Sequence, residues 1–90
     1  MYDIVRGPVQ GVIDGDTFDI NVTHTGKSNK YTYNNTERIR IVGIDAPELN
    51  TSAGLLAKAD LKTKISGKEI RCHVHSRDSY RRLVGDVEFV

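Results

Sequence analysis

The sequence has a single cysteine, no long apolar run and almost no net charge, and each shortage limits what the protein can be. Cys72 alone cannot form an internal disulfide, which weakly favours a reducing compartment. No apolar run approaches the roughly 18 residues of a membrane helix, and the N-terminus lacks a basic leader followed by an apolar stretch. We therefore expect no membrane span and no secretory signal, and the compartment stays open. With 90 residues, the chain makes one domain at most.

The net charge of +1 does not by itself indicate a nucleic-acid partner, but the charges are unevenly distributed. Residues 1–57 hold five basic and seven acidic side chains, whereas residues 58–82 hold eight basic and three acidic ones. If folding brings the two segments together, a carboxylate cluster lies beside a cationic wall, which suits a metal ion and a polyanionic substrate. Ordinary solvated charge on a helix and a hairpin explains the same composition equally well.

Alternating apolar and polar residues predict a mainly β chain with one helix. The predicted strands cover residues 9–13, 17–22, 37–44, 70–75 and 83–90, and the predicted helix covers residues 52–65. The first two strands form a tight hairpin across Asp14-Gly15-Asp16, a strong turn signal. Residues 23–30 are polar and predicted as a loop, and residues 31–33 are compatible with more strand. Pro47 ends the third strand region, because proline cannot extend a ladder.

The predicted helix has plausible boundaries at both ends. Ser52 is the expected N-cap, and Gly67 fits the position just past the last turn. Apolar residues such as Leu55 and Leu56 follow the helical period only loosely and are expected in the core. Five strands with one helix after the third is the order of an OB-type barrel, although other small α+β folds share it. We therefore predict a five-stranded OB-type barrel of order β-β-β-α-β-β.

Three pieces of sequence place charged side chains at strand ends or turns, where functional groups project from a rigid scaffold. The pieces are residues 13–17, 40–48 and 77–86. They contain four carboxylates that offer hard oxygen ligands, suited to calcium or magnesium rather than zinc: Asp14, Asp16, Asp45 and Glu48. Because clustered carboxylates repel one another, such a group needs a metal ion or a proton among its members. Arg40 and Arg82 offer planar forks that pair with phosphate oxygens.

In this order, the three pieces resemble the motifs of the staphylococcal nuclease (thermonuclease) family along nearly the whole chain. Residues 14–17 match its Asp-Gly-Asp-Thr motif, residues 40–48 its arginine, strand and Asp-x-Pro-Glu motif, and residues 78–82 its Asp-x-Tyr-x-Arg motif. The resemblance implies one OB-fold domain over residues 1–90. It also implies a calcium-dependent endonuclease that hydrolyses phosphodiester bonds of DNA and RNA, most readily single-stranded, and leaves 3′-phosphates.

The same resemblance assigns roles residue by residue. The implied metal ligands are Asp16, Asp45 and the backbone carbonyl of Ala46, with Asp14 acting through water. Glu48 is the implied general base, Arg40 and Arg82 hold the phosphate, and Ser79 and Tyr80 border the nucleotide. Two positions depart from the family pattern: Ala46 stands where the best-known member has threonine, and Arg81 stands where glycine is frequent.

The family usually continues past the fifth strand into two further helices that cover the barrel. The resemblance therefore implies a barrel core that lacks those helices at its C-terminus. The expected consequences are marginal stability and self-association through the uncovered barrel surface.

Other functions stay open beside the nuclease. A catalytically silent barrel would bind nucleic acid or a protein through the same surface, although no motif residue has been lost. A general OB-type binder of single strands would need exposed aromatic residues along a basic groove, which four tyrosines and two phenylalanines allow. The run Cys72-His73-Val74-His75 invites a zinc site, but on a strand the two histidines share one face and Cys72 the other. A solvated strand explains that run better.

Overall fold

The computed structural model describes residues 2–90, and Met1 lies outside the described part of the chain. Residues 2–90 form six strands and one helix: β1 (Asp3–Asp14), β2 (Thr17–Asn21), β3 (His24–Thr25), β4 (Thr36–Ile41), α1 (Ser52–Ile65), β5 (Glu69–Arg77) and β6 (Leu83–Phe89). None of this part of the chain forms a helix long and apolar enough to cross a membrane.

Five of the strands close into a barrel, which confirms the predicted fold class. Neighbouring strands follow the order β2-β4-β6-β5-β1, and β1 returns to pair with β2. Strand β1 serves both ends of this order, because residues 3–8 pair with β5 and residues 9–14 pair with β2. Register shifts after Val9 and Val12 mark bulges, which bend a strand and raise its twist. Bending at these two points lets one long strand close the barrel.

The strand boundaries differ from the prediction in several places. β5 extends to Arg77 instead of His75, and residues 31–33 form no strand. β1 begins at Asp3 rather than Val9, so a six-residue segment was missed because Gly7 and Pro8 interrupt its pattern. The short strand β3 lies within the predicted loop and pairs with Val5 and Arg6 of β1. β4 ends at Ile41 instead of Ile44, ahead of the proline, because Gly43 takes a left-handed φ of 80° that breaks the ladder.

The side chains at alternate positions of each strand point inward and fill the barrel interior. Phe18 of β2 pairs with Ile39 of β4, which pairs in turn with Leu83 of β6, and all three are almost fully buried. Fully burying one such side chain stabilises a fold by about 1.5–3 kcal/mol. The arginines at positions 38 and 40 therefore point to the outside of β4, as the alternation predicts.

The helix α1 packs against β1, with Ile65 in the hydrophobic core and Leu61 lying against that core. Gly54 and Ile65 are its buried members, and Gly67 follows the last turn with a φ of 74°, as predicted. Leu55 and Leu56 are each 60% exposed, so their predicted place in the core is wrong. The loose helical period was the sign that they lie outside the packed face. Self-association through such uncovered surface stays a prediction.

Candidate active site

The tip of the β1–β2 hairpin presents two carboxylates at one end of the barrel. The Asp16 amide donates to Asp14 Oδ1 at 3.0 Å, which closes the turn. The Asp16 carboxylate is buried and accepts from the Thr17 hydroxyl at 2.8 Å and from the Ala46 amide at 3.0 Å. The Asp14 carboxylate is only partly buried. The hairpin therefore holds Asp16 rigidly and leaves Asp14 at its edge.

The two hairpin carboxylates shift each other's pKa in opposite directions. Burial and a hydrogen bond with Asp16 raise the pKa of Asp14. Burial alone would raise the pKa of Asp16 too, but hydrogen bonds from Asp14, the Ala46 amide and Thr17, with the Arg40 charge, lower it. Of the two, Asp14 is therefore the one that takes up a proton first as the pH falls, and Asp16 is the one that stays ionised.

Arg40 lies between the hairpin and the segment that follows β4. The register pairs Arg40 with Thr17, which places the guanidinium beside Asp16. One terminal nitrogen, Nη2, lies 3.4 Å from Asp16 Oδ2 and 3.3 Å from Asp45 Oδ1. The other, Nη1, donates to the carbonyls of Ile41 at 2.9 Å and Ile44 at 2.7 Å. Arg40 thus joins a buried carboxylate to Asp45, whose side chain is 97% exposed.

Close approach of the hairpin tip depends on Gly15. A Cβ at this position would lie 2.7 Å from the Ala57 side chain on α1 and 2.8 Å from that of Ala46. Glycine therefore lets the turn lie between the helix and the Ala46 segment. This contact brings Asp16 within hydrogen-bonding distance of Ala46 and ties three elements together at the site.

Glu48 lies two residues beyond Ala46, where the chain turns into α1. Its carbonyl accepts from the Thr51 hydroxyl at 2.6 Å and the Thr51 amide at 3.1 Å. Gly54 lies against the same carbonyl, so closely that any Cβ would collide with it. The main chain of Glu48 is therefore fixed, while its side chain is exposed. Within residues 2–90 that carboxylate makes no ion pair or hydrogen bond.

The β5–β6 turn, residues 78–82, presents the second arginine. Asp78 accepts from the amides of Tyr80 at 2.9 Å and Arg82 at 2.8 Å, and from Arg82 Nε at 2.6 Å. Burial would raise the pKa of Asp78, but the Arg82 amide and guanidinium lower it on balance. The Arg82 guanidinium also lies 5.3 Å from the centre of the exposed Tyr80 ring. The ionised Asp78 thus organises the whole turn.

The structure brings some of the predicted site residues together and leaves others at a distance. Asp14, Asp16, Asp45, Ala46 and Arg40 form one contacting group at the hairpin end. Arg82 contacts Asp78 and not this group, and Ser79 is exposed beside it. Arg82 directly precedes β6, in which Val84 pairs with Arg40, so the turn that carries Arg82 lies next to β4.

Comparison with known proteins decides the family. The model of the family described as "Staphylococcal nuclease homologue" matches residues 38–90, more than half of the chain. The chain belongs to the staphylococcal nuclease homologue family. The family resemblance predicted from the three motifs is therefore confirmed.

Named relatives agree with this assignment. The "Probable endonuclease LCL3" of Arthroderma otae is 36% identical over 92% of this chain, which covers 36% of the relative. An "Uncharacterized endonuclease" of Escherichia coli O157:H7 is 34% identical over 92% of this chain and is covered over 48% of its length. The "Probable staphylococcal-like nuclease CAN1" of Oryza sativa is 44% identical over 56% of the chain. The chain thus spans about half or less of the length of these relatives.

Nucleases of this family are generally metal-dependent, and the residues of this chain fit a hard cation in their chemistry. Within residues 2–90, no three Asp, Glu, His or Cys side chains converge as a metal centre. Asp16 and Asp45 instead share the Arg40 nitrogen, so positive charge is already stabilised between them. Carboxylate and carbonyl oxygens are the ligands that calcium and magnesium prefer. The donor set therefore fits such an ion, with Asp16 as its fixed member.

The sequence did not reveal an ion pair that anchors the family's third motif. Glu37 is almost fully buried, and its carboxylate accepts from both terminal nitrogens of Arg77 at 3.0 and 3.1 Å. Arg77 also donates to the Arg81 carbonyl at 2.8 Å, which holds the turn from its other side. The only local sign was an acidic residue at an inward position of β4, whose partner lies 40 residues away.

Proposed function

We propose that this chain is the catalytic barrel of a calcium-dependent endonuclease that hydrolyses phosphodiester bonds in single-stranded DNA and RNA and leaves 3′-phosphates. Membership of a nuclease family supports hydrolysis of nucleic acid in general. The observation that carries the proposal is the group formed by Asp16, Arg40 and Asp45. Asp45 lies three residues before Glu48, whose backbone is held through its carbonyl. Together they combine cation-binding oxygens, a phosphate-binding guanidinium and an exposed carboxylate at one end of the barrel.

The proposed calcium ligands are Asp16, Asp45 and the Ala46 carbonyl, with Asp14 contributing through water. When bound, such an ion would neutralise phosphate charge and position water. So few protein ligands imply weak binding, with a dissociation constant of about 10⁻⁴ M or higher. Ionised Asp16 needs no deprotonation to serve as a ligand, since its pKa is already lowered by its donors.

The chain's own side chains supply the remaining functions. Glu48 takes a proton from the attacking water, because its carboxylate is exposed and without an internal partner in residues 2–90. Arg40 and Arg82 stabilise the charge that develops on the phosphate oxygens. Asp78 engages only Nε of Arg82, so both terminal nitrogens can face a phosphate. Tyr80 and Ser79 border the nucleotide next to Arg82.

Cleavage of labelled single-stranded DNA and RNA, in calcium and in excess chelator, tests the proposal. Cleavage should require calcium, and the products should carry 3′-phosphates. Glu48→Gln, Arg40→Ala and Arg82→Ala should each lower kcat/KM by about 10²-fold or more, by analogy with the loss of an oxyanion donor. Glu88→Gln is the matched control, because Glu88 is an exposed carboxylate paired with Arg71 and His73 on β5.

Two results would contradict the proposal. Undiminished cleavage in chelator would remove the calcium requirement. Binding of nucleic acid without any cleavage would instead favour the catalytically silent barrel.

A further inference from the structure

Two grooves continue from the β5–β6 turn around the outside of the barrel. The first, of about 590 Å³, begins at Tyr80 and Arg81 and ends at Arg77. The second, of about 650 Å³, begins at the same Arg77 and extends to the start of β1. Between them the grooves are lined by all four tyrosines of the chain: Tyr2, Tyr31, Tyr33 and Tyr80. We call these joined grooves the tyrosine track.

Three rings of the tyrosine track are exposed, and two of its rings, Tyr2 and Tyr33, have partners that fix their orientation. Tyr80, Tyr31 and Tyr2 are 80%, 74% and 53% exposed. Tyr2 stacks on His75 with ring centres 4.1 Å apart and planes 8° from parallel. Tyr33 donates its hydroxyl to Asp3 at 2.7 Å and faces the Arg77 guanidinium at 6.0 Å. Flat apolar surfaces held open to solvent in this way suit ligands that stack on them.

The charge along the tyrosine track favours an anion. Two of its carboxylates, at positions 19 and 37, are neutralised by Arg38 and Arg77, each through two hydrogen bonds. The third, Asp3, accepts hydrogen bonds from the Lys30 amide and the Tyr33 hydroxyl, which lower its pKa together with the nearby Lys30 charge. Arg81 forms no ion pair with any acidic side chain of residues 2–90, so its charge is not compensated. An uncompensated cation beside exposed rings combines the two features of single-stranded nucleic-acid grooves.

Arg81 occupies a backbone conformation that its residue type disfavours. Its φ of 67° lies in the left-handed region, where a residue with a Cβ costs roughly 1–2 kcal/mol more than in ordinary regions. Glycine would remove that cost. The Arg81 side chain is exposed and has no acidic partner in the described chain, so it gives no visible compensation within the fold. A cationic side chain kept at this cost points to a ligand outside the protein.

We propose that single-stranded nucleic acid lies along the tyrosine track, with bases stacked on its rings and a phosphate beside Arg81. This proposal rests on the proposed nuclease function and extends it, because it gives the strand contacts beyond the nucleotide that is cut. Its consequence is preference for longer, unpaired strands over dinucleotides and over duplex, whose bases are already stacked.

Fluorescence anisotropy in excess chelator measures this binding without cleavage. A labelled oligothymidylate of about eight nucleotides, within the usual footprint of an OB fold, should bind at least tenfold more tightly than the dinucleotide or a matched duplex. Tyr31→Ala should weaken binding of the longer strand by about 5- to 100-fold, and Tyr31→Phe should restore it. Phe89→Ala is the control, an exposed ring at the opposite end of β5 from His75.

Arg81→Gly gives a second readout that a structural role cannot imitate. The variant should melt at a higher temperature, because the backbone strain is gone, yet bind the longer strand more weakly. The slope of log affinity against log salt should become shallower by about 0.7, the loss of one phosphate contact to a single strand. Stronger folding together with weaker binding separates a ligand contact from a packing contact.

The two proposals fail in distinguishable ways. Binding that is independent of strand length, or unchanged in Tyr31→Ala and Arg81→Gly, overturns the tyrosine track even if calcium-dependent cleavage is found. Length-dependent binding that these variants weaken upholds the track even if no cleavage occurs.

Discussion

Gly54 in the first turn of α1 lies directly against the backbone of Glu48, and replacing it with alanine tests how the proposed base is positioned. In an exposed helix interior this change would stabilise the fold by about 1 kcal/mol, because alanine is the better helix former. Here the new Cβ would collide with the Glu48 carbonyl and approach the Pro47 carbonyl at 2.9 Å. Both obstacles are backbone atoms, which cannot rotate away.

The expected size follows from the contacts that must shift. Overpacking costs about 1–3 kcal/mol, and the Glu48 carbonyl would also strain its two hydrogen bonds from Thr51, each worth about 1 kcal/mol. Subtracting the propensity gain of about 1 kcal/mol leaves a net loss of stability of about 2–4 kcal/mol when both hydrogen bonds are lost. For a domain of this size, that lowers Tm by roughly 8–32 °C. Tertiary contact therefore reverses the sign that helix propensity alone gives.

Displacement of Glu48 should affect catalysis as well. A shift of about 1 Å at a catalytic group can cost about 10²-fold in rate, so Gly54→Ala should lower kcat by about ten- to a hundredfold. Thermal melts and single-turnover cleavage measure the two effects on the same protein. Ala59→Gly is the control: it weakens the helix by about 1 kcal/mol at an exposed position and should leave kcat unchanged. A Gly54→Ala protein that is more stable and fully active would refute the reasoning.

Three further experiments test separate features: the helix cap, a proposed calcium ligand and the buried thiol. Thr51→Ala should cost about 1 kcal/mol, whereas Ser52→Ala should stay within about 0.5 kcal/mol in the same melts, because only Thr51 caps α1. Asp45→Asn should change stability by less than about 0.5 kcal/mol but raise the calcium concentration for half-maximal cleavage about tenfold; equal calcium curves would exclude Asp45 as a ligand. Burial, then the Asp86 charge, raises the pKa of Cys72 to about 12, so the native thiol should resist a disulfide reagent at pH 8 and react only on unfolding. The same shift stabilises the fold below the pKa of the unfolded thiol and loses this effect as the pH rises towards 12.

Features that depend on nearby residues could be predicted from the sequence. The alternation of Ile39 and Ile41 with two arginines fixed the orientation of β4, and Asp14-Gly15-Asp16 located the first hairpin. The C-terminal end of α1 agrees with the prediction because Gly67 ends it locally, whereas the N-cap is Thr51 and not the predicted Ser52. The barrel architecture was predicted from the order of five strands and one helix along the chain, since OB-type barrels share it.

Features that depend on distant residues could not be predicted. Thr51 caps the helix although Ser52 also carries a hydroxyl. The Thr51 hydroxyl donates to the Glu48 carbonyl and accepts from the Gly54 amide. The exposure of Leu55 follows from the small contact face of α1, where Gly54 lies on the backbone beneath it. Glu37 forms an ion pair with Arg77, 40 residues further along the chain, and no local sequence pattern indicates such a pair.

The two arginines that the motifs treat alike differ in what the fold leaves available. One terminal nitrogen of Arg40 donates to two main-chain carbonyls, and the other contacts Asp16 and Asp45. Arg40 therefore holds the segment after β4 in place. Arg82 is engaged by Asp78 through Nε alone, and within residues 2–90 its terminal nitrogens have no hydrogen-bond partner. A phosphate can therefore bind Arg82 without breaking an internal contact. For a phosphate to bind Arg40 Nη2, Asp16 and Asp45 must release that nitrogen and pair with another cation. The two guanidinium groups thus differ in how many donors the fold leaves available, because the partners supplied by each turn differ.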